Sequence, residues 1–181
     1  MGDYRVRPAT EVDAAAICRI YNQGIEDRLA TLETELRTPD ERRQWLAART
    51  PRHPVIVAEP PAPASSTGSP TSRAGPGAPA PIAWASLNVF NPREAYRFVA
   101  DISVYVERPW RGKGVGRVLL ARLIELGREH GFHKLVLSAF PFNPGGMALY
   151  EAMGFRTVGV YKEQGQLDDH WVDTIIMERL L

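Results

Sequence analysis

Residues 102–131 read as a strand, a glycine loop and a helix in immediate succession. The strand is ISVYVE, the loop is RGKGVG at Arg111–Gly116, and the helix is VGRVLLARLIELGREHG, whose apolar residues recur at helical spacing. A strand that turns straight into an amphipathic helix packs that helix back onto its own sheet. The unit therefore commits the chain to an α/β architecture. Around it the sequence predicts further strands at 4–8, 54–59, 82–90, 97–107, 134–140, 157–163 and 170–178. Helices are signalled by Thr10 with Asp13 ahead of AAAICRIYNQGI, and by Thr38, Pro39 and Glu41 ahead of ERRQWLAAR. Asn143 and Pro144 open a short helix that Gly154 stops, and Gly131 with Phe132 ends the long one. The face Ile17, Ile20, Tyr21 and Ile25 of the first helix is candidate core, and Cys18 reads as a small core residue.

A chain of 181 residues, 44% apolar, supports one domain with a real core, expected to span 1–181. Lys plus Arg number 22 against 21 for Asp plus Glu, so no global basic field points to nucleic acid or an anionic membrane. Any anion is expected at a local site. The start MGDYRVRPATEVD lacks a basic lead with an apolar core, Val6 spoils a myristoylation signal, and no apolar run approaches a membrane span. A cytoplasmic protein is expected. The single cysteine leaves no intrachain disulfide and no cysteine-based metal site, and no metal is expected. Residues 60–81, with seven prolines and three glycines and nothing aliphatic larger than alanine, read as a disordered insertion in a hairpin. Closing such a loop costs about 1 to 2 kcal/mol over a tight turn.

The glycines alone are a weak signal. A dinucleotide fingerprint needs glycine where Arg117 stands, and a triphosphate loop needs a G-K-S/T that is absent. What remains is a glycine-rich helix start whose unpaired backbone N–H groups and positive dipole end suit a pyrophosphate. Arg111, Lys113 and Arg117 add positive charge. A plain strand-to-helix turn is the alternative.

R-G-K-G-V-G satisfies the Q/R-x-x-G-x-G/A acetyl-CoA signature, and the chain resembles the GCN5-related N-acetyltransferase (GNAT) superfamily. FNPGGMALYEAMGF resembles a second element of that superfamily, N-x-x-S-x-x-L-Y-E-x-x-G-F. RPATEVDAAAICRIYNQGI, AYRFVADISVYV and HWVDTIIMERLL resemble the phosphinothricin, arsinothricin and methionine sulfoximine acetyltransferases. The likeness spans nearly the whole chain outside 60–81. It implies a mixed central sheet of six to seven strands, splayed around acetyl-CoA and flanked by helices. It also implies acetylation of the α-amino group of a small anionic amino-acid analogue, by direct attack of the amine on the thioester, in a homodimer.

Carried over residue by residue, the resemblance assigns acetyl-CoA to Val104, Tyr105 and Val106, to Arg111, Gly112, Lys113, Gly114, Val115, Gly116 and Arg117, and to Asn143. Asp101 takes the position of the general base, where most relatives have glutamate, and Tyr150 that of the general acid. Asn143 is equally explained as a helix cap, and Gly146 stands where relatives often carry serine. Tyr96, Arg97 and Arg93 match positions near the acceptor, and arginine suits an oxyanion. His170 reads as structural. A protein N-terminus or a polyamine as acceptor, or a sensor that binds acetyl-CoA without turnover, are the alternative readings. A polyamine site should be rich in carboxylates.

Overall fold

A computed structural model of the chain describes residues 3–61 and 79–181. The insertion expected over 60–81 lies, for residues 62–78, outside the described residues. Among the described residues seven strands and four α-helices follow in the order β1 (Arg5–Pro8), α1 (Ala14–Glu26), α2 (Pro39–Ala47), β2 (Val55–Glu59), β3 (Ala83–Val89), β4 (Val99–Val106), α3 (Val115–Glu129), β5 (Lys134–Ala139), α4 (Pro144–Ala152), β6 (Arg156–Leu167) and β7 (His170–Leu180). These strands form one mixed sheet in the order β1-β2-β3-β4-β5-β7-β6, in which, among the described residues, only β4 and β5 pair in parallel. This is the α/β sheet flanked by helices that the sequence predicts.

Period-two alternation sorts the sheet's side chains onto two faces. Ile56 and Ala58 of β2, Ala83, Ala85 and Leu87 of β3, and Ala100 and Ile102 of β4 pack against α3, whose Leu119, Leu120 and Leu123 are fully buried. Truncating any of these leucines to alanine costs about 2 to 5 kcal/mol. On the opposite face Val55, Val57 and Trp84 meet Ile17, Ile20, Tyr21 and Ile25 of α1. Arg7 ties β1 to both neighbours there, with a forked bond to Asp13 at 2.7 and 2.8 Å and its Nε donating to Glu59 at 2.6 Å.

Local signals held. Thr38 and Glu41 close a capping box on α2, and the Phe132 N–H donates to Gly127 C=O at 2.9 Å across Gly131 at φ 71°. Two boundaries differ from expectation. Asp13 accepts from the Thr10 N–H at 2.8 Å, but that pair opens a single 3₁₀ turn before α1 begins. The strand expected over 157–163 continues to Leu167, through a register shift near Glu163 at φ 49°, and meets β7 by a two-residue turn. Asp168 and Asp169 both hold positive φ in that turn, a conformation more often signalled by Asn-Gly.

Candidate active site

The parallel register of β4 and β5 runs only through Val99, Ala100 and Asp101. Beyond Asp101 the two strands part, while β3 pairs with β4 along its whole length. The N–H of Glu107 donates to Ile82 C=O at 2.9 Å, so the odd-numbered residues of β4 turn their backbone groups to β3. Val104 and Val106 consequently turn theirs to the split. Two adjoining cavities fill it. The larger, about 320 Å³, lies against the glycine loop and the start of α4. The smaller, about 150 Å³, is lined by Asp101, Ser103, Ser138 and Tyr150 among others. Val104, Tyr105, Asn143 and Tyr150 line both, so the cavities form two ends of one cleft.

At the glycine-loop end the backbone does the shaping. Gly112 at φ 72° and Gly114 at φ 86° occupy the left-handed region, and Gly114 is the N-cap of α3. A Cβ on Gly116 would come 3.1 Å from Leu149 Cδ2. Among the described residues the N–H groups of Gly112, Gly114, Val115 and Gly116 find no backbone acceptor, as the start of a helix dictates. Arg117 lines the cavity. Val115 buries its side chain in the core, so only its backbone faces the loop. Lys113 is exposed, with its ammonium 5.2 Å from the Trp110 ring centroid. Arg111 donates from Nη1 to Asp27 at 2.6 Å and from Nε to Val106 C=O at 3.0 Å. Arg108 also grips Asp27, and the two guanidiniums, Arg108 first, hold its carboxyl below the usual range. The sequence reading missed Asp27, which lies far from the loop in the chain and carries no motif. Free N–H groups, a helix N-terminus and Arg117 fit an anionic diphosphate. The apolar walls Leu149, Val104 and Val106 fit an uncharged arm beyond it.

The other end is built from side chains. Asp101 stands opposite Asn88, whose Nδ2 donates to Asp101 Oδ2 at 3.3 Å. Burial pushes the Asp101 carboxyl up to about 6, with the Asn88 bond opposing the shift. Burial also raises the Tyr150 phenol to about 12, and the negative charge of Asp101 adds to the rise. Tyr105 stacks on Trp84 with centroids 4.8 Å apart, and burial raises its phenol well above the ordinary value. Asn143 caps α4 by accepting from the Gly146 N–H at 3.0 Å, and its Nδ2 donates to Leu29 C=O at 3.1 Å. A Cβ on Gly146 would lie 2.7 Å from Asn143 Nδ2, so glycine there goes with this doubly bonded asparagine. Among the described residues no Lys or Arg lines the Asp101 end.

The remaining predicted residues lie elsewhere. Tyr96, Arg97 and Arg93 line a separate concavity of about 160 Å³ with Arg52 and His53. Arg97 pairs with Glu94 at 3.1 Å and lies 4.3 Å over the Phe98 ring. His170 is exposed and takes Asp168 C=O at 2.7 Å. Among the described residues no group of three His, Cys, Asp or Glu could hold a metal ion, and no helix is long and apolar enough to cross a membrane.

Residues 27–155 match the acetyltransferase (GNAT) family. The chain is 30% identical over 174 residues to an L-methionine sulfoximine/L-methionine sulfone acetyltransferase of Salmonella typhimurium, covering 96% of this chain and 92% of that one. Among solved structures it is similar to a GNAT superfamily phosphinothricin acetyltransferase of Sinorhizobium meliloti in complex with acetyl-CoA, with TM-score 0.84, 28% identity, and 98% and 88% of the two chains covered. It is also similar to a ribosomal-protein-alanine N-acetyltransferase of Brucella melitensis, with TM-score 0.83, 34% identity, and 98% and 99% covered.

Proposed function

The chain belongs to the acetyltransferase (GNAT) family, and on that premise we propose that it moves the acetyl group of acetyl-CoA onto the α-amino group of a small anionic amino-acid analogue. Phosphinothricin, arsinothricin and methionine sulfoximine typify that acceptor class, and resistance to such a compound is the corresponding role. One observation carries the reading. β4 and β5 part at Asp101 and open a cleft with a glycine-built anion cradle at one end and Asp101 with Tyr150 at the other. The names of the Salmonella and Sinorhizobium relatives support the acceptor class.

Acetyl-CoA supplies the acetyl group as a thioester. The N–H groups of Gly112, Gly114, Val115 and Gly116, with Arg117, hold the diphosphate; Arg111, which lines the same cavity while paired with Asp27, adds positive field there, and Lys113 adds it from outside. Val104 and Val106 offer backbone N–H groups to the thioester oxygen, with Tyr105 and Asn143 flanking the arm. The acceptor amine arrives protonated and must shed a proton before it attacks. Asp101 takes that proton, and its carboxyl, raised to about 6, is ionised at neutral pH yet close enough to it to be an effective base. Tyr150, whose phenol stays protonated, gives a proton to the departing sulfur as the C–S bond breaks, and the second proton shed by the acetylated nitrogen restores the phenol. The acceptor's anionic end extends, in this reading, beyond the Asp101 cavity toward the loop that leads into β4, where Tyr96, Arg97 and Arg93 line their own concavity. The assembly is a cytoplasmic homodimer formed by one domain over 1–181, and the exposed Val158, Val160, Tyr161 and Trp171 of β6 and β7 suit its interface.

A second reading has its own observation. Among the described residues no cation lines the Asp101 end, and the Brucella relative is named for ribosomal-protein alanine, so an alanine-initiated peptide is the rival acceptor. Release of CoA thiol by the purified protein, offered phosphinothricin, arsinothricin, methionine sulfoximine, spermidine and such a peptide, separates the two. Turnover with the first three is expected. Turnover only with the peptide or spermidine overturns the acceptor class, and tight acetyl-CoA binding without thiol release marks a sensor.

A further inference from the structure

Beneath Asp101 runs a short polar ladder that the mechanism leaves unused. Ser86 and Asn88 of β3 and Asp101 and Ser103 of β4 lie on one face as cross-strand neighbours. The fully buried Ser86 donates its hydroxyl to Asn88 Oδ1 at 2.9 Å. Asn88 spends both amide hydrogens, one on Asp101 Oδ2 at 3.3 Å and one on Ser103 Oγ at 3.1 Å. Turning the amide over would press Oδ1 against a carboxylate oxygen, so the chemistry admits a single orientation. Asp101 Oδ1 has no donor among the described residues.

We infer that Asn88 is a positioning residue for Asp101, pinning Oδ2 through an amide held by Ser86 and leaving Oδ1 as the oxygen that receives the amine's proton. In that step the N–H bond of the ammonium breaks, an O–H bond forms at Oδ1, and the freed nitrogen pair is left to attack the thioester. The inference rests on the reading of Asp101 as the base. It also follows from Asp101 being an aspartate, because the short side chain keeps its carboxyl near the strand, within reach of the cross-strand asparagine. The polar groups that share the cavity with Asp101 are Tyr150 from α4, Asn143 at the cap of α4, whose amide is committed to Leu29 C=O, Tyr105 and Ser103 from β4, and Ser138 from β5. None of these is a cation. The Asn88 amide is therefore the described donor that favours the ionised carboxylate over the neutral acid.

The test is a pH titration of the Asp101 ¹³Cγ signal in aspartate-labelled protein without acceptor, assigned by its loss in Asp101→Asn. In Asn88→Ala the midpoint should rise by about one pH unit, since a hydrogen bond to the charged form is lost. The acid limb of kcat/KM, measured with the best acceptor of the panel above, should move with it. Ser86→Ala, which frees the amide without touching Asp101, should shift the midpoint the same way by less, and it carries the test if Asn88→Ala does not fold. A midpoint unmoved in the folded variants, with Asp101→Asn inactive, overturns the inference alone. An Asp101→Asn protein as active as the parent overturns the reading beneath it.

Discussion

At the glycine-loop end of the cleft the chain offers its backbone, through two left-handed glycines, a helix start and unpaired N–H groups. At the Asp101 end it offers side chains, a carboxyl held in a cross-strand network and a phenol from α4, both shifted by burial. A backbone cradle binds any ligand carrying the same diphosphate, whatever acetyl acceptor is to follow. A side-chain end can be retuned one residue at a time. The difference explains how relatives named for different acceptors share one fold with this chain.

Substitutions at the two ends should therefore fail in different ways. Asp101→Asn should lose about 10³-fold in kcat, the scale of a positioned base, while binding acetyl-CoA like the parent by calorimetry. The same variant should be more stable at neutral pH. A carboxyl raised in the folded state keeps a proton that the unfolded chain releases between pH 4 and 6, so stability falls as pH rises through that window. The cost at pH 7 is up to about 3 kcal/mol, and thermal melts of the two proteins should diverge above pH 6 and converge below pH 4. Tyr150→Phe should lose about 10²-fold in kcat, read from thiol release at saturating substrates. At the other end, Gly114→Ala places a Cβ at φ 86°, costs about 1 to 2 kcal/mol, and should weaken acetyl-CoA about tenfold in the same calorimetry. Arg97→Ala, on a loop outside the cleft, should raise the acceptor KM a few-fold and leave the acetyl-CoA KM alone.

The same contrast governs what the sequence discloses. The cradle was legible because its determinants are contiguous, with Arg111 to Arg117 joining a strand to a helix and each glycine marking a backbone need. The caps at Thr38, Asn143 and Gly131 were legible for the same reason. Asp101 and Tyr150 could be named only through resemblance, and their common cavity depends on β4 and β5 parting, which no local pattern encodes. Asn88 stands 13 residues from Asp101 and is an ordinary polar residue until register sets the two opposite. Asp27, 84 residues from Arg111, was invisible on the same ground. The end of β6 was misjudged because that strand lies exposed at the sheet edge, where burial imposes no alternation.

The most direct test of Asp101 as the base is the pH dependence of kcat/KM for CoA thiol release, measured for the parent and for Asp101→Asn. The parent should show an acid limb with a midpoint near pH 6, matching a carboxyl at about 6, and the variant should lose that limb along with most of its activity. An identical limb in both proteins would contradict the assignment of the proton to Asp101.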